Sequence, residues 1–351
     1  MTLLVRDEAD IVDAQIAFHL HAGVDFVIAT DNRSSDGTVE ILERYQRAGH
    51  LHLIREESDD MRQGEWVTRM ARMAATEFGA DWVINADADE FWWPRGGSLK
   101  DVLETVPKRY GVVRGCWRHF VPRPDDGSFF GDRMTVRLTT PAFPGDKTTI
   151  YHAHQKVAHR ADPDVTVEPG NHEARGRGLK PLRAWHPIEV FHFSFRSLAQ
   201  LERKSRAGFR ADDRGLHQTL LMDARRSGRL AEHFECFVVE DDELARGVAE
   251  GTLAIDTRLR DALRLLRTPD GDGFALPASG VTSPLSFPRP DARDDAEYAG
   301  EASVLVGIDG VVRAEERVRA LESRLADLER HPLPRLSARI RRLASPRPRP
   351  A

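Results

Sequence analysis

The sequence lacks long apolar runs, is poor in cysteine and has no excess of positive charge, and each absence excludes a class of protein. No run approaches the roughly 18 apolar residues that cross a bilayer, so we expect no membrane span. The two cysteines, Cys116 and Cys236, are too few and too far apart for a disulfide framework or a zinc-binding pattern. The net charge of −5 leaves no basic field that would hold nucleic acid by its phosphates.

The first residues contain neither the basic segment nor the apolar stretch of a secretory signal. Together with the low cysteine content, this predicts a reducing, cytoplasmic location. Hydrophobic residues make up 40% and charged residues 30% of the 351 residues, which is a normal balance for a globular protein. This length allows one large domain or two ordinary ones, with a substantial core.

Short apolar segments alternate with helical stripes over the first ninety residues. Apolar strands are predicted near 3–5, 25–30, 51–54 and 82–86, and the stretches between them carry apolar residues at helical spacing. This βαβαβαβ order predicts a mostly parallel, Rossmann-type α/β sheet with helices on both faces. Ligands of such sheets bind outside the carboxyl ends of the strands.

The pattern changes in the second part of the chain. Residues 99–239 read as short strands separated by Pro and Gly, which predicts a mixed extension of the same sheet. Helical stripes at 197–214 and 257–266 would complete a domain predicted over 1–265. The Pro-, Gly-, Asp- and Ser-rich segment 268–310 is predicted to be a linker.

Residues 311–345 are predicted to form a C-terminal helical tail, followed by a disordered end at 346–351. The tail begins with a short heptad seam of apolar residues, which are Val318, Leu321, Leu325 and Leu328. The residues from 331 onward carry six Arg and no acidic residue. Three interpretations stay open: a solvated tail, weak self-association, or contact with an anionic membrane surface.

Asp87 and Asp89 follow directly on the apolar strand WVINA. Asp-x-Asp occurs three times in the chain, so this copy gains meaning only from its place at a strand end in the parallel half. Residues two apart on an extended segment point the same way, so both carboxylates can face one divalent cation and its diphosphate. A solvated acidic turn is the alternative.

The segment TDNRSSDGT at 30–38 ends the second predicted strand and opens a helix. Asp31 could accept hydrogen bonds from a nucleobase N–H group and from ribose hydroxyls. Ser34 and Asp36 also suit helix capping, and Gly37 suits a tight turn, so a purely structural loop is equally open.

Three motifs taken together resemble one enzyme family. VRDEADIV at 5–12, TDNRSSDGT at 30–38 and NADADEF at 85–91 are similar to motifs of the family 2 glycosyltransferases of the GT-A fold. The resemblance covers residues 1–95 and implies a GT-A-like fold and a transferase that uses a sugar nucleotide. Asn32 departs from the pattern, because the family usually has a second Asp there.

The resemblance implies roles for particular residues. Glu8 and Asp31 would flank the base and the ribose, and Arg69 would help to hold the nucleotide. Asp87 and Asp89 would bind ribose, diphosphate and a Mn²⁺ or Mg²⁺ ion.

The second half of the chain resembles the family less closely. His192 occupies the place where GT-A enzymes often supply a third metal ligand, and a core histidine is the alternative. Lys156 matches the pattern of this branch and could neutralise phosphate, unless it is a surface lysine. An inverting transfer needs a general base, and the family position favours Glu173, with Glu189 and Asp164 as further candidates. A simply exposed Glu173 is the alternative.

Trp92 and Trp93 directly follow the acidic motif. Their flat apolar faces could form a platform for a sugar acceptor, and core packing is the alternative.

The sequence therefore predicts a metal-dependent, inverting glycosyltransferase that moves a sugar from a nucleoside diphosphate sugar to an acceptor hydroxyl. The predicted context is polysaccharide, glycolipid or other cell-surface glycan synthesis, with a glycan or lipid-linked acceptor and peripheral contact with the inner face of the membrane. One alternative is an inactive nucleotide-sugar-binding scaffold that associates through its C-terminal helix. The other is a nucleotidyltransferase, although no Gly-rich phosphate loop lies near the first strand.

Overall fold

An eight-stranded sheet organises the first of the two units into which the chain divides, residues 1–306 and 307–351. The computed structural model describes residues 1–58, 62–140, 150–183, 185–206, 216–271, 273–278 and 280–330.

The strands of the described residues are β1 (Thr2–Val5), β2 (Val27–Asp31), β3 (Leu51–Arg55), β4 (Trp82–Asp87), β5 (Glu90–Pro94), β6 (Val112–His119), β7 (Val136–Leu138), β8 (Gln155–Arg160), β9 (Thr166–Val167), β10 (Ala174–Arg175), β11 (Ile188–His192) and β12 (Leu253–Ile255). The helices are α1 (Val12–His21), α2 (Thr38–Arg47), α3 (Gln63–Thr76), α4 (Leu99–Glu104), α5 (Phe130–Arg133), α6 (Leu198–Arg206), α7 (Leu216–Arg226), α8 (Leu230–Glu235), α9 (Asp241–Glu250), α10 (Arg258–Leu266) and α11 (Ala292–Arg330), with a 3₁₀ turn at Pro169–Asn171.

The main sheet has the strand order β3-β2-β1-β4-β8-β6-β11-β5. The first four strands in this order are parallel to one another. β8 is antiparallel to β4 and to β6, β6 is parallel to β11, and β5 is antiparallel to β11. Six strands therefore point the same way, and only β8 and β5 oppose them. This confirms the predicted α/β class with a mostly parallel sheet and a mixed extension.

Helices pack on both faces of the sheet because each presents an apolar stripe. On one face, Phe18 of α1 and Leu42 of α2 are buried in the larger core. On the other face, Trp66 and Met70 of α3 are buried in a second core. Each fully buried side chain of this size contributes about 1.5–3 kcal/mol.

The predicted linker at 268–310 is wrong in part. Phe274 and Phe287 are buried in the larger core, and α11 starts at Ala292 inside the segment. Tyr298 of this helix is buried and donates a hydrogen bond from its hydroxyl to the Ile188 carbonyl at 2.9 Å. The composition of the segment is that of a linker, but its few aromatic residues are enough to attach it to the first unit.

In the second unit, the described residues are the helical residues 307–330. Val318, Leu321 and Leu325 of the predicted seam are exposed there. The rest of the predicted tail, 331–345, and the predicted disordered end, 346–351, lie outside the described residues. Among the described helices, none combines the length and the apolar character that crossing a bilayer requires.

Candidate active site

The strand directions bring the predicted residues to one edge of the sheet. The six strands that point the same way all end at this edge, and the two opposed strands begin there. The residues that this arrangement gathers are Asp31 on β2, Asp87 on β4, Glu90 on β5, His119 on β6, Lys156 on β8 and His192 on β11. Residues far apart in sequence therefore share one edge.

Two loops at this edge are fastened together. The backbone N–H groups of residues 7–9 donate to Ser34 Oγ, Thr38 Oγ1 and Asp36 Oδ2 at 2.9, 2.9 and 3.0 Å. Gly37 has a φ of +100°, which favours glycine. These side chains therefore have a structural role, although they join the two loops and do not cap α2, whose N-cap residue is Gly37.

Asp31 is buried, and only one of its two carboxylate oxygens has a hydrogen-bond partner among the described residues. Its Oδ2 accepts the backbone N–H of Ser34 at 3.2 Å, whereas Oδ1 has no hydrogen-bond partner among the described residues. A buried carboxylate oxygen without a donor is costly, so such an atom is suited to an N–H or O–H group of a ligand.

A cleft of about 420 Å³ lies beside the end of β2 and is lined by Glu56, Ser58, Arg62, Glu65, Trp66 and Arg69. Glu56 in the wall of the cleft contacts Asp31 directly, because its backbone N–H donates to the backbone carbonyl of Asp31 at 2.8 Å. Arg69 Nη2 donates to Glu56 Oε2 at 3.2 Å, so the predicted nucleotide-binding arginine belongs to this cleft. The cleft combines an indole, two guanidiniums and two carboxylates, which suits a ligand with a flat ring and polar edges.

Asp87 is held by a lysine and two amides. Lys156 Nζ donates to Asp87 Oδ2 at 2.5 Å and lies 2.9 Å from Glu90 Oε1. Asn171 and Gln63 donate to the other Asp87 oxygen at 3.0 and 3.3 Å. Lys156 is only 1% exposed, so it is not the surface lysine of the alternative interpretation.

Glu90 completes this network. Trp117 Nε1 donates to Glu90 Oε1 at 2.7 Å, and the Asp87 N–H donates to Oε2 at 3.1 Å. Burial raises the pKa of Glu90 to about 8, and Lys156 offsets this only in part. The Glu90 carboxyl group therefore holds its proton more tightly than an exposed glutamate does.

Asp89 faces one cation and one neutral imidazole. Lys204 Nζ lies 3.4 Å from Asp89 Oδ2, and His192 Nε2 lies 3.7 Å from Oδ1. Burial opposes ionisation of Asp89, but Lys204 and the other basic side chains around it together outweigh burial and lower the pKa of Asp89 to about 2. Burial holds the pKa of His192 well below 6.5, so the ring is neutral at pH 7. Its ring stacks on Trp117 with centroids 3.9 Å apart.

Glu8 reaches the same edge, but its carboxylate is already paired. The buried guanidinium of Arg196 contacts Glu8 and donates to Asp10 Oδ2 at 2.7 Å. Burial raises the pKa of Glu8 to about 7, against the opposing effect of Arg196. The predicted contact between Glu8 and a nucleotide therefore competes with a strong ion pair.

The predicted metal ligands are brought together only in part. Asp89 provides a carboxylate, which Mn²⁺ and Mg²⁺ prefer, whereas the neutral nitrogen of His192 is a donor that suits later transition metals better. Asp87 instead binds Lys156. Within the described residues, no three His, Cys, Asp or Glu side chains are arranged to hold a metal ion. A Mn²⁺ or Mg²⁺ ion at this edge therefore stays a prediction.

Glu173, the predicted general base, follows the 3₁₀ turn whose Asn171 contacts Asp87. Its carboxylate is partly exposed and contacts Arg175 at 3.0 Å. Glu189 is excluded as a base, because Arg258, Arg118 and Arg95 surround it. Burial would raise the pKa of Glu189, but Arg258 and Arg118 hold it well below its ordinary value. Asp164 is exposed on a turn.

The predicted acceptor platform of Trp92 and Trp93 is wrong. Trp92 is completely buried, and Trp93 is 9% exposed. The Trp93 ring stacks on Phe191 and on Phe18, with centroids 5.3 and 5.8 Å apart. Both tryptophans belong to the larger core, because every residue of β5 is buried.

Several residues of the site were not predicted from the sequence. Arg196 and Lys204 come from the segment after β11 and from α6, and Glu90 and Trp117 complete the network around Lys156. The signal for Lys204 was the basic run at 203–206, inside the helix predicted at 197–214, whereas Arg196 precedes that helix and gave no signal. Glu90 gave no signal beyond its place next to Asp89.

Residues 4–121 match the model of glycosyltransferase family 92. The matched segment runs from β1 to the residues just after β6 and contains Glu8, Asp31, Arg69, Asp87 and Asp89. It is about a third of the chain. The match is to a glycosyltransferase family, as the motifs predict, and membership of family 2 in particular stays a prediction. No curated protein matches the chain.

Solved structures share weaker similarity. TarS from S. aureus, residues 1–349 in complex with UDP, is 11% identical, covers 75% of this chain and 88% of its own, and has a TM-score of 0.32. The same fragment in complex with UDP-GlcNAc is 12% identical, covers 67% and 72%, and has a TM-score of 0.34. A mycobacterial protein is 17% identical, covers 61% and 76%, and has a TM-score of 0.31. At such scores these similarities carry no argument about activity.

Proposed function

We propose that the protein is a glycosyltransferase that moves a sugar from a nucleoside diphosphate sugar to an acceptor hydroxyl. One observation carries the proposal: acidic side chains at the ends of the parallel strands β2 and β4, which flank β1, lie at one sheet edge, within the segment that matches a glycosyltransferase family. This is the edge at which open α/β sheets bind ligands.

The nucleoside part of the donor binds between Asp31 and the cleft. The open Asp31 Oδ1 accepts a base N–H or a ribose hydroxyl, which supplies the donor that this atom lacks. The half-exposed Arg62 and Arg69 guanidiniums in the wall offer planar groups for a base to stack on.

The diphosphate lies toward Asp89, His192 and Lys204. When bound, Mn²⁺ or Mg²⁺ would neutralise the charge that grows on the leaving diphosphate, with Asp89 and His192 as its protein ligands. Lys204 is 32% exposed in its side chain and only 3.4 Å from Asp89, so it can turn from the carboxylate to a phosphate oxygen. Asp87, fixed by Lys156, Asn171 and Gln63, orients the ribose.

The transfer itself is proposed to invert the sugar, as the family resemblance implies. Glu173 removes the proton of the acceptor hydroxyl while its oxygen forms a bond to the anomeric carbon. The bond from that carbon to the diphosphate oxygen breaks on the opposite face, and the electron pair leaves with the nucleoside diphosphate. By the same resemblance, we propose a glycan or lipid-linked acceptor at the inner face of the membrane.

The proposal is tested with a panel of UDP-, GDP- and dTDP-sugars, by measuring release of nucleoside diphosphate with Mn²⁺, Mg²⁺ or EDTA. At least one donor is expected to be consumed, and Asp89→Asn is expected to abolish this in protein that still unfolds cooperatively above the assay temperature. Asp25→Asn, at an exposed aspartate before the opposite end of β2, is the matched control and should keep full activity. Release of no nucleotide, or full activity of Asp89→Asn, contradicts the proposal.

A further inference from the structure

The helix of the second unit exposes a stripe of large apolar side chains. Val311, Val318, Leu321 and Leu325 are 61%, 52%, 59% and 57% exposed. Single exposed apolar residues are ordinary, but four of them within fifteen residues of one helix form a contiguous face. A helix gains stability mainly by burying such a face against a partner.

The spacing of the stripe specifies the kind of partner. Val311, Val318 and Leu325 are seven residues apart, which places them at the a positions of a heptad, with Ala314 and Leu321 at d. This repeat keeps one seam of the helix facing another helix over its whole length. In parallel coiled coils, a β-branched residue at a combined with Leu at d, as at Val318 and Leu321, favours two strands over three or four.

The charged residues beside the seam specify a second copy of the same helix. Arg317 occupies a g position and Glu322 the next e position, and both are exposed. In a parallel pair in register, Arg317 of each copy faces Glu322 of the other, which gives two attractive contacts. An antiparallel pair would instead oppose Arg to Arg and Glu to Glu.

We propose that residues 311–325 pair with the same residues of a second copy as a parallel, two-stranded coiled coil. This pairing is independent of the proposed enzymatic function. The seam has only about two heptads, and Ala314 buries little surface, so the dimer is weak and concentration-dependent.

The charge contacts are tested by sedimentation velocity of the full chain over a range of concentrations. The wild type is expected to pass from monomer to dimer, and Val318→Glu is expected to stay monomeric. Arg317→Glu and Glu322→Arg should each raise the dissociation constant by roughly fivefold or more, since both contacts become repulsive. The double variant Arg317→Glu/Glu322→Arg should restore the wild-type constant, which a merely structural effect of either substitution would not do.

The orientation is tested by oxidation of Val311→Cys in a Cys236→Ser background. Cys236 is exposed and would otherwise form its own crosslinks, whereas Cys116 is buried. A parallel pair in register brings the two engineered thiols together, so a covalent dimer is expected. An antiparallel pair would place residue 311 near the far end of the partner's seam and give none. A wild type that stays monomeric, charge variants with unchanged association, or a Val311→Cys variant that does not crosslink overturns the proposal.

Discussion

Replacing Glu189 by Gln should unfold the protein more easily without stopping catalysis. The Glu189 carboxylate is almost completely buried and lies 2.9–3.0 Å from guanidinium nitrogens of Arg95, Arg118 and Arg258. An amide of the same shape keeps the packing but removes the charge. Three guanidiniums then lose the buried anion that they share.

The loss of unfolding free energy can be estimated from the other carboxylates that pair with these three arginines. Breaking a buried ion pair by removing one partner costs about 3–5 kcal/mol. Arg258 keeps Asp256 at 2.7 Å and Arg118 keeps Glu301, so the lower end of that range applies. We therefore expect Glu189→Gln to lower the free energy of unfolding by about 3 kcal/mol, and the melting temperature by roughly 5–10 °C.

The assay is thermal and urea unfolding at pH 7, together with turnover measured well below the melting temperature. Glu301→Gln is the matched control, because Glu301 is a partly exposed partner of Arg118, and it should cost less than about 1 kcal/mol. Turnover of folded Glu189→Gln should stay within a factor of about three. A stable variant with a hundredfold loss of turnover would refute this reasoning and make Glu189 a catalytic residue.

Three further predictions concern single substitutions. Glu173→Gln should lower kcat by about a hundredfold or more while leaving the dissociation constant of the nucleotide unchanged, and near-normal turnover would show that another group is the base. Trp93→Ala should destabilise the core by about 3–5 kcal/mol without weakening nucleotide binding. Weaker binding would show instead that Trp93 contributes to the ligand site. Burial lowers the pKa of His19 to about 3. Between about pH 6.5 and pH 3, the unfolded chain therefore binds up to one proton more than the folded chain does. The free energy of unfolding falls as the pH drops through this window. His19→Gln should therefore reduce the slope of unfolding free energy against pH in this window by up to about 1.4 kcal/mol per pH unit, and an unchanged slope would contradict the assignment.

The parallel half of the fold could be predicted because its signals are local. The strand that ends at Asp31 and the strand that ends at Asp87 are each followed by polar residues and separated by helical stripes. Strand direction follows from the βαβ order, so the meeting of these carboxylates at one edge also follows. Arg69 could be placed for the same reason, since it lies on the helix between them.

The second half of the site depends on pairings that local patterns do not specify. Lys156 reaches the edge because β8 inserts antiparallel between β4 and β6, and His192 because β11 returns parallel to β6. The resemblance pointed to both residues, but not to the pairing of Lys156 with Asp87. Arg196 and Lys204 depend on where α6 packs, which no repeat in the sequence reveals.

The errors have a common physical cause. An aromatic side chain after an acidic motif suits a sugar platform and a core equally well, and complete burial of β5 decides the case for Trp92 and Trp93. A segment rich in Pro and Gly reads as a linker, although Phe287 and Tyr298 are buried within it. In both cases tertiary packing overrides a compositional signal.

Calorimetric titration of Asp31→Ala with nucleoside diphosphates tests the central claim most directly. The open Oδ1 of Asp31 is the atom that the account assigns to the donor, and a hydrogen bond to a charged group contributes about 1.5–3 kcal/mol. UDP, GDP and dTDP are titrated into the wild type, into Asp31→Ala and into Asp25→Ala, a matched exposed aspartate before the opposite end of β2. The account predicts that the wild type and Asp25→Ala bind at least one of them equally, and that Asp31→Ala binds it roughly ten- to a hundredfold more weakly. Equal affinity of all three proteins, or no binding by any, would contradict a nucleotide site at this edge of the sheet.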